Sequence, residues 1–458
     1  MEALAAEARL LGKQIVVLKV GASERAQVAT VSHTASLAGS DAGARALFTR
    51  LGMGRVSSLS SFLETLKLLH VAGLLSSNRI ASMSCSGGEA CLIADSAMDH
   101  DLAFPPLNDR QRTDLRATLG PEVALANPLD YHTYIWADED AMARTFAALM
   151  DADLAMGLVV LDFPRADRCS ADDWDHVIKA VTRCGLATGR PMAILSSLVD
   201  TMPEEVALDL VSRGIVPFCG MVEALEALAV AAKLGQVKSL SAPPILIPLE
   251  DAACSATLAE ADAKVALSSH GITIPQSERA EGPKAAAACA ERIGYPVVLK
   301  GEGIAHKTEA GAVALNLMTT DAVLKAAHDM PTRQFLVEEM ITDAVAELLV
   351  AVVRDPAHGY VLTLAAGGTL AELLRDSASL LVPAPREAIV DALSGLRIAP
   401  LLGGFRGSEP ANMNAIVDAV LGLQSYVADA HPHEVEVNPL MCGQVRAVAA
   451  DALVRIGE

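Results

Sequence analysis

A histidine among small and hydroxyl-bearing residues is the first candidate for chemistry. The stretch SHTASLAGSD, residues 32–41, follows an apolar run at 15–20 and precedes a helical pattern at about 41–51. Small neighbours leave room around the His33 ring, and neutral imidazole is a competent nucleophile near pH 7. His33 is therefore a candidate acceptor of a phosphoryl group; the alternative is a loop histidine hydrogen-bonded to a neighbour.

A glycine pair at the start of a helix is the second candidate. Gly87 and Gly88 lie in SCSGGEA, residues 84–90, between a β-strand pattern and an Ala/Ile-rich helical pattern. Backbone N–H groups at a helix N-terminus, together with the positive end of the helix dipole, favour a phosphate. The pattern predicts either a phosphate-binding turn or a plain strand-to-helix turn with Ser86 as its N-cap.

A lysine at the end of a strand is the third candidate. Lys300 ends the apolar run YPVVLK at 295–300, and the glycine-bearing loop GEGIAHKTEAG follows at 301–311. A lysine in this position can neutralise nucleotide phosphates. The alternative is a solvated residue at the end of a strand.

Alternating oxygen-bearing side chains near the C-terminus indicate a metal site. Glu434, Glu436 and Asn438 share one face of a predicted strand, and Asp451 lies thirteen residues beyond Asn438. This arrangement suits Mg²⁺, whose remaining ligands would be phosphates and water. A solvated edge strand is the alternative.

Composition restricts the class of protein that carries these residues. The 458 residues include 36 Lys and Arg against 56 Asp and Glu, a net charge of −20, and 52% of the residues are apolar. The acidic balance and 3% aromatic content argue against a nucleic-acid surface. Eight scattered cysteines, no signal-peptide pattern and no apolar run of membrane-spanning length predict a cytoplasmic protein without a membrane partner.

The order of patterns predicts an α/β fold with largely parallel sheets, because short β-branched runs alternate with longer Ala/Leu-rich helical patterns. The proline-rich stretch SLSAPPILIPLED, residues 239–251, predicts a linker. A weaker break lies near 73–78. We therefore expect three units, at 1–72, 73–240 and 253–458, with the linker at 241–252.

Together and in this order, these motifs resemble the NDP-forming acyl-CoA synthetases, the superfamily of ADP-forming acetyl-CoA synthetase and succinyl-CoA synthetase. The resemblance implies flavodoxin-like parallel-sheet domains, similar to succinyl-CoA synthetase, followed by an ATP-grasp domain. In that family SHTASLAGSD matches the phosphohistidine loop, and SGGEACLIAD matches the helix that faces it. The implied activity forms an acyl-CoA, ADP and phosphate from ATP, CoA and a carboxylic acid, from acetate to hydroxycinnamates.

The resemblance also assigns roles to individual residues. His33 is the implied phosphoryl carrier, and His306, in an HK-x-(D/E)-x-G pattern, is the candidate second phosphohistidine. The family pattern assigns nucleotide contacts and Mg²⁺ ligands to the following residues: Lys300, Glu339, Thr342 and Glu347 to the nucleotide, and Asn438 and Asp451 to the metal. ATP, Mg²⁺ and CoA are thus the expected cofactors and substrates.

Some features depart from the family pattern. The CoA-binding domain and the first part of the ligase domain do not precede these residues, and Ala35 and Ala312 replace loop glycines. Three alternatives follow: sequence upstream supplies CoA binding, another subunit supplies it, or the protein has lost the full reaction. The expected partners are a CoA-binding subunit or further copies of the chain in a homo-oligomer. Two rival functions are a nucleotide-binding regulatory paralogue and an ATP-grasp ligase that joins an acid to an amine; retention of both histidines disfavours the first, and the SHTASLAG loop disfavours the second.

Overall fold

The computed structural model of the chain describes residues 1–21, 39–151, 153–237, 243–248, 254–304, 310–367 and 376–457. Both candidate carriers, His33 and His306, lie outside the described residues. The chain divides into two compact units: unit 1 comprises Met1–Val20 and Leu51–Leu240, and unit 2 comprises Gly21–Arg50 and Ser241–Glu458. In the described ranges, no helix has the length and apolar character that crossing a membrane requires.

Unit 1 contains a small parallel strand pair and a larger parallel sheet. Its strands are β1 (Val16–Leu18), β2 (Gly54–Val56), β3 (Ile80–Ser84), β4 (Leu129–Asp130), β5 (Met156–Val160), β6 (Met192–Ser196) and β7 (Val216–Cys219). β1 pairs with β2, and the larger sheet, as far as the structure describes it, has the order β4-β3-β5-β6-β7 with every pairing parallel.

The helices of this part of the chain follow the predicted alternation. They are α1 (Glu2–Leu10), α2 (Asp41–Leu51), α3 (Leu59–Val71), α4 (Gly87–Ser96), α5 (Asp109–Leu119), α6 (Glu139–Leu149), α7 (Asp172–Thr188), α8 (Glu204–Ser212) and α9 (Met221–Gly235). α2 is counted with unit 2 up to its penultimate residue, and the others belong to unit 1.

Burial explains why the strands of unit 1 read as short continuous apolar runs. β3, β5 and β6 are buried along their whole length, as expected for a parallel sheet covered on both faces. Successive residues enter opposite cores: Ile80 and Leu158 pack into one cluster, and Ala81 and Val159 into the other. The prediction of a flavodoxin-like parallel sheet is confirmed.

Unit 2 contains the remaining elements. Its strands are β8 (Cys254–Thr257), β9 (Ser277–Glu281), β10 (Val297–Gly301), β11 (Val313–Leu317), β12 (Gln334–Glu339), β13 (Ala344–Asp355), β14 (Gly359–Ala366), β15 (Ser377–Leu381), β16 (Glu434–Gly443), β17 (Ala447–Ala449) and β18 (Ala452–Gly457). Its further helices are α10 (Glu260–Ser268), α11 (Pro283–Ile293), α12 (Thr320–Asp329), α13 (Arg386–Ser394), α14 (Ala399–Leu402) and α15 (Met413–Ala430).

These strands form two sheets in the described residues. One has the order β11-β10-β12-β9, and the other has the order β15-β14-β13-β16-β18-β8, with β17 paired to β16. Every described pairing within them is antiparallel. The expectation of largely parallel sheets is therefore wrong for unit 2, because neighbours such as β13 and β14 are joined by short turns that reverse the chain.

Two hydrophobic cores support the sheets of unit 2. Val297 and Val337 of the first sheet pack in one core with Ala286 of α11. The core of the second sheet includes Leu348 of β13 and Val420 of α15. Residues 243–248, the described part of the predicted linker, form neither helix nor strand.

Candidate active site

Lys300 is buried at the end of β10 and already has three hydrogen-bond acceptors. Its ammonium Nζ lies 2.6 Å from Glu260 Oε1, 2.8 Å from the carbonyl oxygen of Ala450 and 3.0 Å from Glu338 Oε2. The residue is 7% exposed. An ammonium group has three protons to donate, so Lys300 must exchange one of these partners before it can donate to a phosphate.

A second lysine completes a buried charge cluster that sequence inspection missed. Lys264 Nζ lies 2.7 Å from Glu260 Oε1 and 2.7 Å from Glu338 Oε1. Two carboxylates and two ammonium groups therefore balance within one contact network, which we call the lysine–glutamate cluster: Glu260, Lys264, Lys300 and Glu338. The spacing of Glu260 and Lys264 on α10, four residues apart, was the available signal.

The cluster keeps Lys300 charged although it is buried. Burial alone lowers the pKa of a lysine, but the negative charges of Glu338, Glu260 and Asp451 outweigh this effect and raise the pKa of Lys300 above its ordinary value. The side chain thus carries a positive charge at any physiological pH, which is the state required for an interaction with phosphate.

Asp451 and Asn438, the predicted metal ligands, lie beside the lysine. Asp451 Oδ2 is 4.0 Å from Lys300 Nζ, and the backbone N–H of Asn438 donates to the Asp451 carbonyl oxygen over 3.3 Å. The Asn438 side-chain amide donates to Glu436 Oε1 over 3.2 Å, which leaves its oxygen as an acceptor. The structure therefore brings Lys300, Asn438 and Asp451 together.

The side-chain oxygens of Asn438 and Asp451 suit Mg²⁺, because this ion takes its remaining ligands from phosphates and water, whereas most other metal ions need more protein ligands. Mg²⁺ is commonly bound by one or two protein oxygens with phosphates and water, and an amide oxygen and a carboxylate are present here. No group of three or more His, Cys, Asp or Glu side chains in the described ranges could hold a metal ion. Glu434, the third member of the predicted strand face, instead pairs with Arg455 at 3.0 Å.

The stretch of chain that passes from one sheet of unit 2 to the other carries Glu339, Thr342 and Glu347. Glu339 ends β12, Thr342 is exposed in the segment that follows, and Glu347 is half-buried on β13. Arg446, which sequence inspection also missed, donates to Glu339 Oε1 over 2.7 Å. Glu339 thus has a cationic partner that fixes its carboxylate.

Gly87 and Gly88 lie in unit 1, whereas the other described candidates lie in unit 2. They begin α4, with Ser86 at the N-cap position but without a capping hydrogen bond from its side chain. A Cβ on Gly87 would lie 3.0 Å from Asp130 Oδ2. The predicted phosphate-binding turn therefore has a carboxylate against it.

Glu89, a second carboxyl group near this turn, has a pKa close to neutral pH. Burial, followed by the negative charges of Asp162 and Asp130, raises the pKa of Glu89 to about 7. Glu89 therefore holds a proton over part of the physiological pH range, which reduces the negative charge at the start of α4.

Two family models match the chain. Residues 251–456 match the ATP-grasp domain, and residues 1–69 match the succinyl-CoA ligase like flavodoxin domain. The first of these ranges contains the lysine–glutamate cluster together with Asn438 and Asp451, and the second contains His33.

Curated relatives extend the similarity along the chain. A trans-feruloyl-CoA synthase from an unknown prokaryotic organism is 29% identical, over 96% of this chain and 64% of the relative. An ADP-forming acetate–CoA ligase I from Archaeoglobus fulgidus is 27% identical, over 97% of this chain and 66% of the relative. The beta subunit of an ADP-forming acetate–CoA ligase I from Pyrococcus furiosus is 26% identical, over 43% of this chain and 90% of that subunit. The chain thus spans just under two thirds of the first two relatives.

Proposed function

We propose that this chain, which belongs to the NDP-forming acyl-CoA synthetases, joins a carboxylic acid to CoA while ATP is converted to ADP and phosphate. The observation that carries the proposal is similarity to two acyl-CoA-forming enzymes over 96% and 97% of the chain. We propose that CoA binding is supplied in cis or by a partner subunit. The similarity to a separate beta subunit from Pyrococcus furiosus supports the arrangement in trans.

The proposed reaction proceeds through phosphohistidine. A histidine ring nitrogen attacks the γ-phosphorus of ATP, the bond to the bridging oxygen breaks, and ADP leaves. The carboxylate oxygen of the acid then attacks that phosphorus, which frees the histidine and forms an acyl phosphate. The CoA sulfur attacks the acyl carbon, phosphate leaves, and the thiol proton passes to solvent.

The two histidines divide this work in the proposal. His306 lies six residues beyond Lys300 in the chain and accepts the phosphoryl group beside the nucleotide. His33 receives it and delivers it to the acid. Both roles follow from the motifs, since neither residue lies in the described ranges.

The described residues of unit 2 prepare the nucleotide site. Lys300 is held charged and buried, so an exchange of one acceptor for a phosphate oxygen would not expose an uncompensated charge. Glu339, Thr342 and Glu347 are proposed to contact the nucleotide. Asn438 and Asp451 would hold Mg²⁺, which when bound offsets the negative charge that develops on the phosphate oxygens.

The substrate acid is proposed to come from the range between acetate and hydroxycinnamates. Similarity to a trans-feruloyl-CoA synthase at 29% identity and to an acetate–CoA ligase at 27% supports both ends of this range. A hydroxycinnamate and acetate are therefore the first two acids to test.

A labelling experiment tests the function. The purified chain is incubated with γ-labelled ATP and Mg²⁺, and acid-labile, base-stable label on histidine is mapped by peptide. We expect His306→Ala to abolish labelling of both histidines, and His33→Ala to leave label at His306 while acyl-CoA formation stops. His328→Ala, at an exposed histidine on α12, is the matched control.

The outcomes separate the candidate functions. Label that is discharged by an acid plus CoA supports the ligase, and label discharged by an acid with hydroxylamine as trap supports the acyl phosphate without requiring the CoA-binding part. Turnover that is unchanged in His33→Ala would remove this histidine from the mechanism. Intact ATP binding without any label would favour the regulatory paralogue.

A further inference from the structure

Gly39 and Ser40, which follow the proposed carrier motif, lie against the turn that joins β13 to β14. The backbone N–H of Ser40 donates to Asp355 Oδ2 over 2.8 Å. Both residues belong to unit 2, although they are 315 positions apart in the chain. The start of α2 is thus attached to the ATP-grasp unit by a specific hydrogen bond.

The Asp355 carboxylate is held rigidly for this contact. Its other oxygen, Oδ1, accepts the backbone N–H groups of Ala357 and His358 and the Nδ1–H of the His358 ring, each over 2.9 Å. Burial alone would raise the pKa of Asp355, but hydrogen bonds from His358 and Ser40 outweigh it and lower this pKa. The acceptor facing Ser40 is therefore an ionised carboxylate, which forms a stronger hydrogen bond than a neutral one.

The shape of the contact requires glycine. A Cβ on Gly39 would lie 2.4 Å from both Nδ1 and Cε1 of His358 and 2.6 Å from the Cβ of Ala357. A Cβ on Gly43, one turn into α2, would lie 2.8 Å from His358 Nδ1. The imidazole ring thus packs directly on the backbone of both glycines, and no side chain could be added without displacing it.

The far end of α2 is fixed as well. Arg50 Nη1 donates to the carbonyl oxygens of Leu381 over 2.9 Å and Pro383 over 2.7 Å, and its Nη2 donates to the carbonyl oxygen of Pro243. All of these partners belong to unit 2. Helix α2 is therefore held at both ends on the same unit.

We propose that the turn at 355–358 is an anchor. It fixes Gly39 and Ser40 on unit 2, and these residues form the C-terminal end of the chain segment that carries His33. Asp355 and His358 are then positioning residues for phosphoryl transfer to His33, and this consequence rests on the function proposed above. Gly39 lies six positions beyond His33 in the chain.

The cost of losing the anchor follows from the length of the tether. If Gly39 and Ser40 are released, the flexible tether extends to Asp41, the first residue of helix α2, which lies eight positions beyond His33 instead of six. The effective concentration of a tethered group falls roughly as the −3/2 power of tether length, so a tether of eight positions instead of six predicts about a 1.5-fold decrease. Transfer to His33 should slow by about that factor, while ATP binding remains unchanged.

Two variants test the anchor in the full chain. Asp355→Asn retains an oxygen for the turn but places an NH₂ group toward Ser40, and Gly39→Ala displaces the His358 ring. Asp391→Asn, at an exposed aspartate of α13, and Gly395→Ala, where a Cβ would meet no atom closer than 3.5 Å, are the matched controls. For each protein, we would measure hydrogen exchange of residues 39–50, ATP affinity, and the rates of labelling at His306 and His33.

The expected result is faster exchange of residues 39–50 in both test variants, with about 1.5-fold slower labelling of His33, and with unchanged ATP affinity and His306 labelling. Wild-type exchange in both test variants would overturn the anchor. Faster exchange with wild-type labelling of His33 would overturn the positioning role. If the wild-type chain takes up no label, the proposed function and the positioning role both fall, whereas the exchange data still decide whether the anchor exists.

Discussion

Removal of Lys264 tests whether the lysine–glutamate cluster is a balanced unit. In Lys264→Met, Glu260 and Glu338 would share Lys300 as their remaining cation within the cluster. The Lys264 side chain is 1% exposed, and those of Glu260 and Glu338 are 3% and 2% exposed, so water cannot replace the lost partner without opening the structure. The variant therefore buries one uncompensated negative charge.

The magnitude follows from the geometry. Charges about 3 Å apart attract by roughly 5 kcal/mol at an effective dielectric constant of about 20, and desolvation cancels part of this attraction. Breaking a buried ion pair by removing one partner costs about 3–5 kcal/mol. We expect a loss of this size in the free energy of unfolding of unit 2, compared with less than about 0.5 kcal/mol for Lys325→Met on the exposed face of α12.

Native-state hydrogen exchange of peptides from β10 and β12 is the assay, because these strands carry Lys300 and Glu338. A second variant sharpens the test: Lys264→Met with Glu338→Gln restores the charge balance and should recover part of the loss. If Lys264→Met costs no more than the Lys325 control, or if the double variant is less stable than the sum of its single changes, the reasoning about charge balance is refuted.

Three further predictions concern pH, packing and metal binding. The pKa of Glu89 is about 7 in the folded chain and 4.5 in the unfolded chain, so the free energy of unfolding should fall as the pH rises from about 4.5 to 7. In Glu89→Gln, urea unfolding should no longer show this fall, and the free energy of unfolding at pH 8 should be about 1–2 kcal/mol higher than in the wild type, after allowance for solvent screening. In Gly235→Ala, the Cβ would lie 1.9 Å from a backbone oxygen, so thermal unfolding should show a free energy of unfolding that is lower by about 1–3 kcal/mol. The control is Gly185→Ala in α7, where the nearest atom would lie 3.4 Å from the Cβ; this change should be neutral or stabilising. Calorimetric titration of Asn438→Ala should show at least tenfold weaker Mg²⁺-dependent ATP binding, and the same loss in the exposed Asn414→Ala would contradict the metal role.

The pattern of apolar residues correctly predicted the parallel sheet of unit 1, but it did not predict the antiparallel sheets of unit 2. The runs at β3, β5 and β6 are short, continuous and apolar because both faces of a parallel sheet are buried. In unit 2 the runs at β10 and β12 have the same character but pair antiparallel. Strand direction depends on how the chain returns to the sheet, and an apolar run of five or six residues carries no such information.

Local motifs also identified individual candidates without revealing their partners. The end of an apolar run marked Lys300, but its buried acceptors come from α10, β12 and the residue before Asp451. Likewise, the glycine pair at 87–88 predicted a phosphate-binding turn, but the carboxylate of Asp130, from a neighbouring strand, lies against it. Each of these contacts joins residues far apart in the chain.

The amino-acid sequence by itself therefore indicated the family resemblance, the order of the domains and the chemical types of the candidate groups, because these are carried by local patterns and motif order. Tertiary structure alone decided the charge state of Lys300, the protonation of Glu89 and the attachment of Ser40 to Asp355. These properties depend on burial and on charges brought within a few ångströms by folding, and that proximity exists only in the folded chain.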